Sequence, residues 1–203
     1  MIKLYHHPDC PYSQKVRVVM AEKELEYELV LVDLHKNEQK SQDFLKLNPY
    51  GKVPVLVDED VIIYDSTTIN EYLDEEYPEP AMMPEAGESA DRARVRMLED
   101  FCDTSFIPPT LILLAELHKP EEQRDGELVR RYQGELVRVL ARLDQQLEGK
   151  DYLVGAFSLA DAAFAPRMMI LPQIGVDLDP RWHNVPAWIA RLRERGSVRA
   201  LNL

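Results

Sequence analysis

A proline-rich segment near the middle of the chain constrains the fold more than any other feature of the sequence. Residues 77–88, YPEPAMMPEAGE, contain three prolines and one glycine, so neither a helix nor a strand can run through them. Short apolar runs rich in β-branched residues precede this segment, and only long helical patterns follow it. The sequence therefore predicts two domains, residues 1–77 and 89–203, joined by a linker at 78–88.

The first domain alternates strands with helices. Four short apolar runs predict strands at residues 2–5, 27–32, 53–57 and 61–64. Three segments with helical spacing predict helices at residues 13–23, 42–47 and 66–76. The first two strands flank a helix, as in a βαβ unit, whereas the last two are so close in sequence that they must form an antiparallel hairpin. This order predicts a thioredoxin-like α/β domain.

The second domain is predicted to be all-helical. Its helical patterns cover residues 90–104, 109–118, 127–147, 159–171 and 185–195. One of these helices follows Ser158 and carries Asp161 three residues later, which is the spacing of a capping box. We therefore interpret Asp161 as a structural residue and not as a catalytic one.

Composition excludes several classes of function. The chain carries 24 basic and 36 acidic side chains, a formal charge of −12, and this balance argues against direct binding of nucleic acid. The absence of a long apolar run and of a secretion signal predicts a cytoplasmic protein that does not enter a membrane. Two cysteines are too few for a disulfide scaffold or a zinc cluster, which indicates a reducing compartment and no metal.

Cys10 lies between the first predicted strand and the first predicted helix, and Pro11 follows it. Proline favours the first helical position, so Cys10 is predicted at the N-cap, where the helix dipole would stabilise a thiolate. Such a thiol becomes a nucleophile near neutral pH. The alternative is an inert buried cysteine, which is how we interpret Cys102. Ser13 takes the second position of a Cys-x-x-Cys spacing, so a redox cycle would need a thiol from another molecule, and glutathione is the obvious donor.

Two further element ends are predicted on the same side of the sheet as Cys10. If the Val53–Pro54 bond is cis, the backbone of Val53 would face a peptide ligand; otherwise Pro54 is an edge proline without a function. Asp65 and Ser66 begin a helix, whose N-terminus could hold a carboxylate through Ser66 while Asp65 pairs with an ammonium; the alternative is an ordinary N-cap. The convergence of these ends favours a binding site.

In this order, these residues resemble the soluble glutathione transferases. The resemblance is carried by residues 10–17 (CPYSQKVR), 48–56 (NPYGKVPVL), 65–66, 71–73 and 158–161. It implies the glutathione transferase fold, a thioredoxin-like domain followed by an all-helical domain, with glutathione as co-substrate. It also implies a homodimer, for which apolar residues around Tyr72 and Val95 are the candidate contacts.

The resemblance further implies which residues hold glutathione. These are the backbone of Val53, a cis Pro54, Asp65 and Ser66, with Lys36 as the basic residue that contacts the glycyl carboxylate. The motif at Cys10 is similar to the omega and dehydroascorbate reductase branch and to monothiol glutaredoxins. This similarity implies thiol transfer, in which Cys10 becomes glutathionylated and Ser13 helps to orient it.

The second substrate would be an electrophile or a disulfide. In this family the acceptor pocket is built by the loop after the first strand and by helices of the second domain. Candidates for this pocket, each equally plausible as a core residue, are His7, Tyr12, Phe101, Phe106 and Met168. A glutathione-dependent isomerase is an alternative activity.

A second resemblance points to a different class of function. Residues 71–84 and 16–23 closely resemble the stringent starvation protein A family, transferase-fold proteins that bind RNA polymerase and lack transferase activity. The surface Pro-His-Pro of that family is Pro78-Glu79-Pro80 here, and its catalytic position usually lacks the cysteine that this chain has. The sequence favours the enzyme, with an RNA polymerase-associated protein as the alternative.

Overall fold

The computed structural model describes residues 1–203 and divides into two compact units, Met1–Met82 and Met83–Leu203. The first unit contains all four strands, and the second unit is helical apart from two isolated β-bridges. None of the helices combines the length and the apolar character that are needed to cross a membrane. The fold is that of a thioredoxin-like domain followed by a helical domain, as predicted.

The first unit is built from four strands and three α-helices. In chain order they are β1 (Ile2–His6), α1 (Pro11–Glu22), β2 (Tyr27–Leu31), α2 (Gln42–Leu47), β3 (Val55–Asp58), β4 (Val61–Tyr64) and α3 (Ser66–Glu76). A short 3-10 helix, Glu38–Lys40, precedes α2.

The four strands form one sheet in the order β2-β1-β3-β4. β1 pairs parallel to β2, with Leu4 opposite Leu29, and antiparallel to β3, with Leu4 opposite Leu56. β3 and β4 pair antiparallel, which confirms the predicted βαβ unit and hairpin. The third strand begins at Val55 and not at the predicted residue 53, because Pro54 has no N–H group to donate to the ladder.

A buried lysine joins the C-terminal end of α1 to the last residues of the first unit. The side chain of Lys23, directly after α1, is fully buried, and its Nζ lies 2.8 Å from Asp74 Oδ1 near the end of α3. The same Nζ donates to the backbone carbonyls of Tyr77 at 2.7 Å and of Pro80 at 3.0 Å. Because a buried ammonium requires such partners, these contacts fix the proline-rich segment against α1 and α3.

The second unit contains six α-helices. They are α4 (Ser89–Phe101), α5 (Ile107–Leu117), α6 (Gly126–Gln146), α7 (Leu159–Met169), α8 (Asn184–Glu194) and α9 (Gly196–Arg199). A π-helical turn, Cys102–Phe106, joins α4 to α5, whereas the sequence predicted that the first helix ends at residue 104 and that a gap follows at 105–108. Pro108 and Pro109, in the first turn of α5, lack the N–H groups that would continue a regular α-helix through this point, and the wider turn lies directly before α5.

The core of the second unit contains a row of aromatic rings. The ring of Phe164 lies 5.2 Å from that of Phe106 and 6.0 Å from that of Trp188, and all three side chains are fully buried. Cys102 is fully buried as well, which confirms its interpretation as a core residue. Aromatic packing of this kind stabilises the helical unit beyond the burial of apolar area alone.

The carboxylate of Asp161 joins three segments of the second unit. The predicted capping box at the start of α7 is present, and the backbone N–H of Ser158 donates to Asp161 Oδ2 at 3.0 Å. Asp161 Oδ1 accepts hydrogen bonds from Leu153 N at 3.1 Å and from Trp188 Nε1 at 2.9 Å. Burial raises the pKa of Asp161 to about 6, although these hydrogen bonds act in the opposite direction. Asp161 is therefore structural, as predicted.

Candidate functional site

Cys10 stands at the N-terminus of α1. It occupies the N-cap in an extended conformation, its side chain makes no capping hydrogen bond, and Pro11 follows in the first turn. The residue is partly exposed, and its Sγ lies 3.9 Å from the carbonyl oxygen of Val53. The structure therefore places Cys10 at the N-cap of α1, as the sequence predicted.

Buried polar contacts hold the loop before Cys10. The backbone N–H of Cys10 donates to His7 O at 3.1 Å, and the hydroxyl of Ser13, which is fully buried, accepts from His7 N at 3.4 Å. Gln14 Nε2 donates to Pro8 O at 2.7 Å. The observed contact of Ser13 is thus with the loop and not with the thiol. Gln14, which the sequence did not single out, fixes the same loop from α1.

His6, the last residue of β1, is buried beneath this loop. Burial is the main reason that the pKa of His6 is lowered to about 4, and the charges of Arg17 and His7 act in the same direction. His6 is therefore neutral at pH 7 and adds no positive charge near Cys10. Its Nδ1 has no hydrogen-bond partner in the protein.

The Val53–Pro54 peptide bond is cis. This is the conformation in which we expected the backbone of Val53 to face a peptide ligand. Val53 and the β3 residue Val55 belong to a buried apolar cluster with Phe44, and Cys10 packs against this cluster. The loop that carries Val53 is thus in contact with the residue that carries the thiol.

Asp65 and Ser66 have different positions at the start of α3. Asp65 is the N-cap: its Oδ1 accepts from the backbone N–H groups of Thr67 at 3.1 Å and Thr68 at 3.0 Å, and its φ of +80° is strained for a residue with a side chain. Ser66 is the first residue of the helix and is only 4% exposed. No protein group hydrogen-bonds the hydroxyl of Ser66, so this hydroxyl is available to a ligand at the helix N-terminus.

Two lysines lie between β2 and α2. Lys36, the predicted contact of the glycyl carboxylate, is exposed and pairs with Asp33, with 3.0 Å between Nζ and Oδ2. Lys40 was missed by the sequence analysis. Its Nζ donates to the carbonyls of Tyr50 at 3.3 Å and Gly51 at 3.2 Å, so it is tied to that loop. Only its basic charge could have marked it, because the contact depends on how the loop folds back.

Gly51 permits this close approach. Its φ is +60°, and a Cβ at this position would lie 2.8 Å from both Gln39 O and Lys40 Nζ. A side chain would therefore strain the backbone and displace the lysine.

The structure corrects part of the predicted acceptor pocket. Phe106 and Met168 are fully buried in the second unit, and Phe106 packs against Phe164, so both belong to the core. Phe101 and Tyr12 are partly exposed, and Phe101 lines a groove of the helical unit. The sequence could not separate core from pocket here because both environments favour aromatic and sulfur-containing side chains.

Both halves of the chain match models of known protein domains. Residues 4–81 match the N-terminal domain of glutathione S-transferase, and residues 106–195 match its C-terminal domain. The chain belongs to the glutathione S-transferase family. Membership of this family was predicted from the residues around Cys10, Val53 and Ser66, and it is confirmed.

Known relatives of the chain within this family fall into two groups. The stringent starvation protein A homolog of Pasteurella multocida (strain Pm70) is 31% identical over 187 residues, covering 92% of this chain and 82% of that protein. Glutathione S-transferase F10 of Arabidopsis thaliana is 31% identical over 205 residues, covering 97% of this chain and 94% of that protein. Overall similarity therefore does not separate a starvation protein from a transferase.

Solved structures of the family superpose on nearly the whole chain. Glutathione transferase URE2P8 from Phanerochaete chrysosporium, solved with oxidized glutathione, has a TM-score of 0.85 at 28% identity, covering 98% of this chain and 92% of that one. A serine-to-cysteine mutant of poplar glutathione transferase F1 has a TM-score of 0.86 at 26% identity, covering 99% of this chain and 96% of that one.

Proposed function

We propose that the protein is a glutathione-dependent thiol transferase in which Cys10 is the nucleophile. The observation that carries the proposal is the position of its thiol at the N-terminus of α1, 3.9 Å from the carbonyl oxygen of Val53. Helix N-termini stabilise thiolates, and a backbone carbonyl beside the sulfur can accept a hydrogen bond from a bound peptide. The site thus offers a nucleophile and a peptide contact together.

The reaction follows from the absence of a second cysteine in the motif. The Cys10 thiolate attacks the glutathionyl sulfur of a mixed disulfide, the substrate leaves as a thiolate, and a disulfide between Cys10 and glutathione forms. A second glutathione thiolate then attacks the glutathionyl sulfur, which releases Cys10 and produces oxidised glutathione. Electrons balance, because each step breaks one disulfide and forms one, so that the mixed disulfide and one glutathione thiol become the substrate thiol and oxidised glutathione.

Glutathione is proposed to bind along the ends of three elements. The backbone of Val53 pairs with the peptide, the hydroxyl of Ser66 and the N-terminus of α3 hold a carboxylate, and Asp65 attracts the ammonium. Support comes from the hydroxyl of Ser66, which has no partner within the protein, and from the second oxygen of Asp65, which the cap leaves unused. Lys36 remains the predicted contact of the glycyl carboxylate, and Lys40 is a second candidate.

Replacing Ser66 by alanine should weaken glutathione binding by about 1.5–3 kcal/mol, because a hydrogen bond to a charged group is lost. Isothermal titration calorimetry with reduced glutathione measures the change. Ser89→Ala is a matched control, since Ser89 is also the first residue of a helix but lies in the second unit. Equal affinities of Ser66→Ala and the wild type would remove Ser66 from the site.

The nucleophile is tested directly by alkylation. Iodoacetamide at pH 7 should modify Cys10 faster than a model thiol, while the buried Cys102 stays unmodified until the protein unfolds. Oxidised glutathione should then add one glutathione, located at Cys10 by mass spectrometry. If Cys10 reacts no faster than a model thiol, the proposal falls.

We also propose that the protein is a homodimer. The sequence suggested dimer contacts around Tyr72 and Val95, but both side chains make contacts within one protomer. Val95 is fully buried, and the hydroxyl of Tyr72 donates to Asp58 Oδ2 at 3.1 Å. The proposal now rests on family membership and on exposed apolar side chains in both units, such as Tyr50 and the 70% exposed Met97. Light scattering at micromolar concentration should give twice the mass of the chain, and a monomer mass would contradict the dimer.

The second candidate function is that of a stringent starvation protein A-like binding protein with RNA polymerase as its partner. The observation that favours it is the identity of 31–34% to such proteins over 89–92% of this chain. Retention of the protein on immobilised glutathione separates the two functions cheaply. Retention with a reactive Cys10 supports the enzyme, whereas neither retention nor reactivity, together with capture of purified RNA polymerase, supports the binding protein.

A further inference from the structure

We propose that a groove in the second unit binds a phosphate monoester with a flat apolar or heteroaromatic body. The groove lies between α5, α6 and the π-helical turn, and its volume is about 450 Å³. This volume is within the range of small-molecule sites. The groove contains none of the residues proposed to bind glutathione, so the inference does not depend on the proposed function.

Two arginines give the groove its charge. Arg138 and Arg142 are one helical turn apart on α6, so they project from the same face, and both line the groove. Neither guanidinium has a hydrogen bond, an ion pair or a ring contact within the protein. In a chain with a net charge of −12, two adjacent arginines without a carboxylate partner are unusual, and they favour an anionic ligand.

The other polar groups of the groove are compatible with an anion. Its only carboxylate, Glu135, is already engaged by Arg131, with 3.2 Å between Nε and Oε1. The hydroxyl of Thr104 donates to Asp100 O at 2.7 Å, and the hydroxyl of Ser105 lies 3.4 Å from that of Thr104. Because Thr104 uses its proton on the helix, Ser105 is the donor in the contact between the two hydroxyls, and a ligand would receive this proton by replacing Thr104 as the acceptor.

The π-helical turn places these hydroxyls at the groove. Thr104 and Ser105 both belong to Cys102–Phe106, the only π-helical segment of the chain. Such turns occur often at functional sites, since a wider turn costs stability that a regular helix would keep. This feature is independent of the arginines and points to the same groove.

The charge of the arginines selects among anions. A phosphate monoester carries about −1.5 to −2 at pH 7 and can neutralise two guanidinium groups, whereas a carboxylate neutralises only one. Its oxygens also match the paired N–H groups of arginine. The remaining wall is apolar and suits a flat ring system; it is formed by Phe101, Pro108, Pro109, Ile112 and Val139.

The test compares four probes by equilibrium dialysis against the full chain. They are 1-naphthyl phosphate, adenosine 5′-monophosphate, 1-naphthol and inorganic phosphate. Either organic phosphate should bind more tightly than both naphthol and inorganic phosphate, and the tighter of the two identifies the preferred ring. If naphthol or inorganic phosphate binds as tightly as both organic phosphates, the groove does not recognise the phosphate and the ring together, and the proposal is wrong.

Variants locate the binding. Arg138→Ala and Arg142→Ala should each weaken the organic phosphate about tenfold or more, and Arg138→Lys should weaken it less. Arg130→Ala is the matched control, because Arg130 is an exposed arginine of α6 outside the groove. Equal losses in Arg130→Ala and Arg138→Ala would overturn the site. A change of oligomeric state in Arg138→Ala without a change in its affinity for the organic phosphate would also overturn the site. The groove would then be a contact with a second copy of the chain.

Discussion

Cys10→Ser is expected to reduce glutathione-dependent thiol transfer about a thousandfold or more, because the only nucleophile of the proposed cycle is removed. Glutathione itself should still bind, since Val53, Asp65 and Ser66 are unchanged. The assay follows the reduction of a glutathione mixed disulfide, coupled to the recycling of oxidised glutathione.

A matched variant makes this experiment decisive. Cys102→Ala removes the other cysteine, which is fully buried in the second unit, and should leave thiol transfer unchanged in the folded protein. If Cys10→Ser keeps the activity of the wild type, the thiol is not the nucleophile. If neither the wild type nor Cys10→Ser transfers a thiol, the binding-protein alternative is the better account.

Asp161→Asn is expected to lower the free energy of unfolding by about 3–5 kcal/mol. An asparagine presents one N–H₂ group where the carboxylate accepts only, and this group would face donors from Ser158, Leu153 or Trp188. Chemical denaturation followed by tryptophan fluorescence measures the loss. Asp151→Asn is the control, because the Asp151 side chain is 78% exposed and its ion pair with Arg191 is long, at 3.6 Å.

The pH dependence of this difference has a defined sign. The pKa of Asp161 is raised from 3.8 to about 6 in the folded protein, chiefly by burial, so the folded state binds more protons than the unfolded state between these values. The contribution of Asp161 to stability should therefore increase as the pH falls from 7 to 4. If the wild type and Asp161→Asn change in parallel over this range, Asp161 is not the group that titrates.

Local patterns predicted the parts of the structure that depend on neighbouring residues. The short connection between β3 and β4 could only make a hairpin, and Pro11 after Cys10 could only begin a helix. Contacts between distant segments were not predictable in this way. Lys40 reaches Gly51 through the folding of a loop, and Phe106 belongs to the core because of where Phe164 lies. The π-helical turn was missed because proline pairs normally indicate a break between helices.

Lys23 provides a chemical reporter of opening in the first unit. Its amino group is completely enclosed, held by Asp74 and two backbone carbonyls, whereas that of Lys36 projects into solvent. Amine-directed reagents can therefore modify Lys36 in the native protein but reach Lys23 only when the contacts between α1, α3 and the proline-rich segment separate. The ratio of the two labelling rates measures how often this happens, at the opposite end of α1 from Cys10. A ligand that closes the first unit would be seen as slower acylation of Lys23.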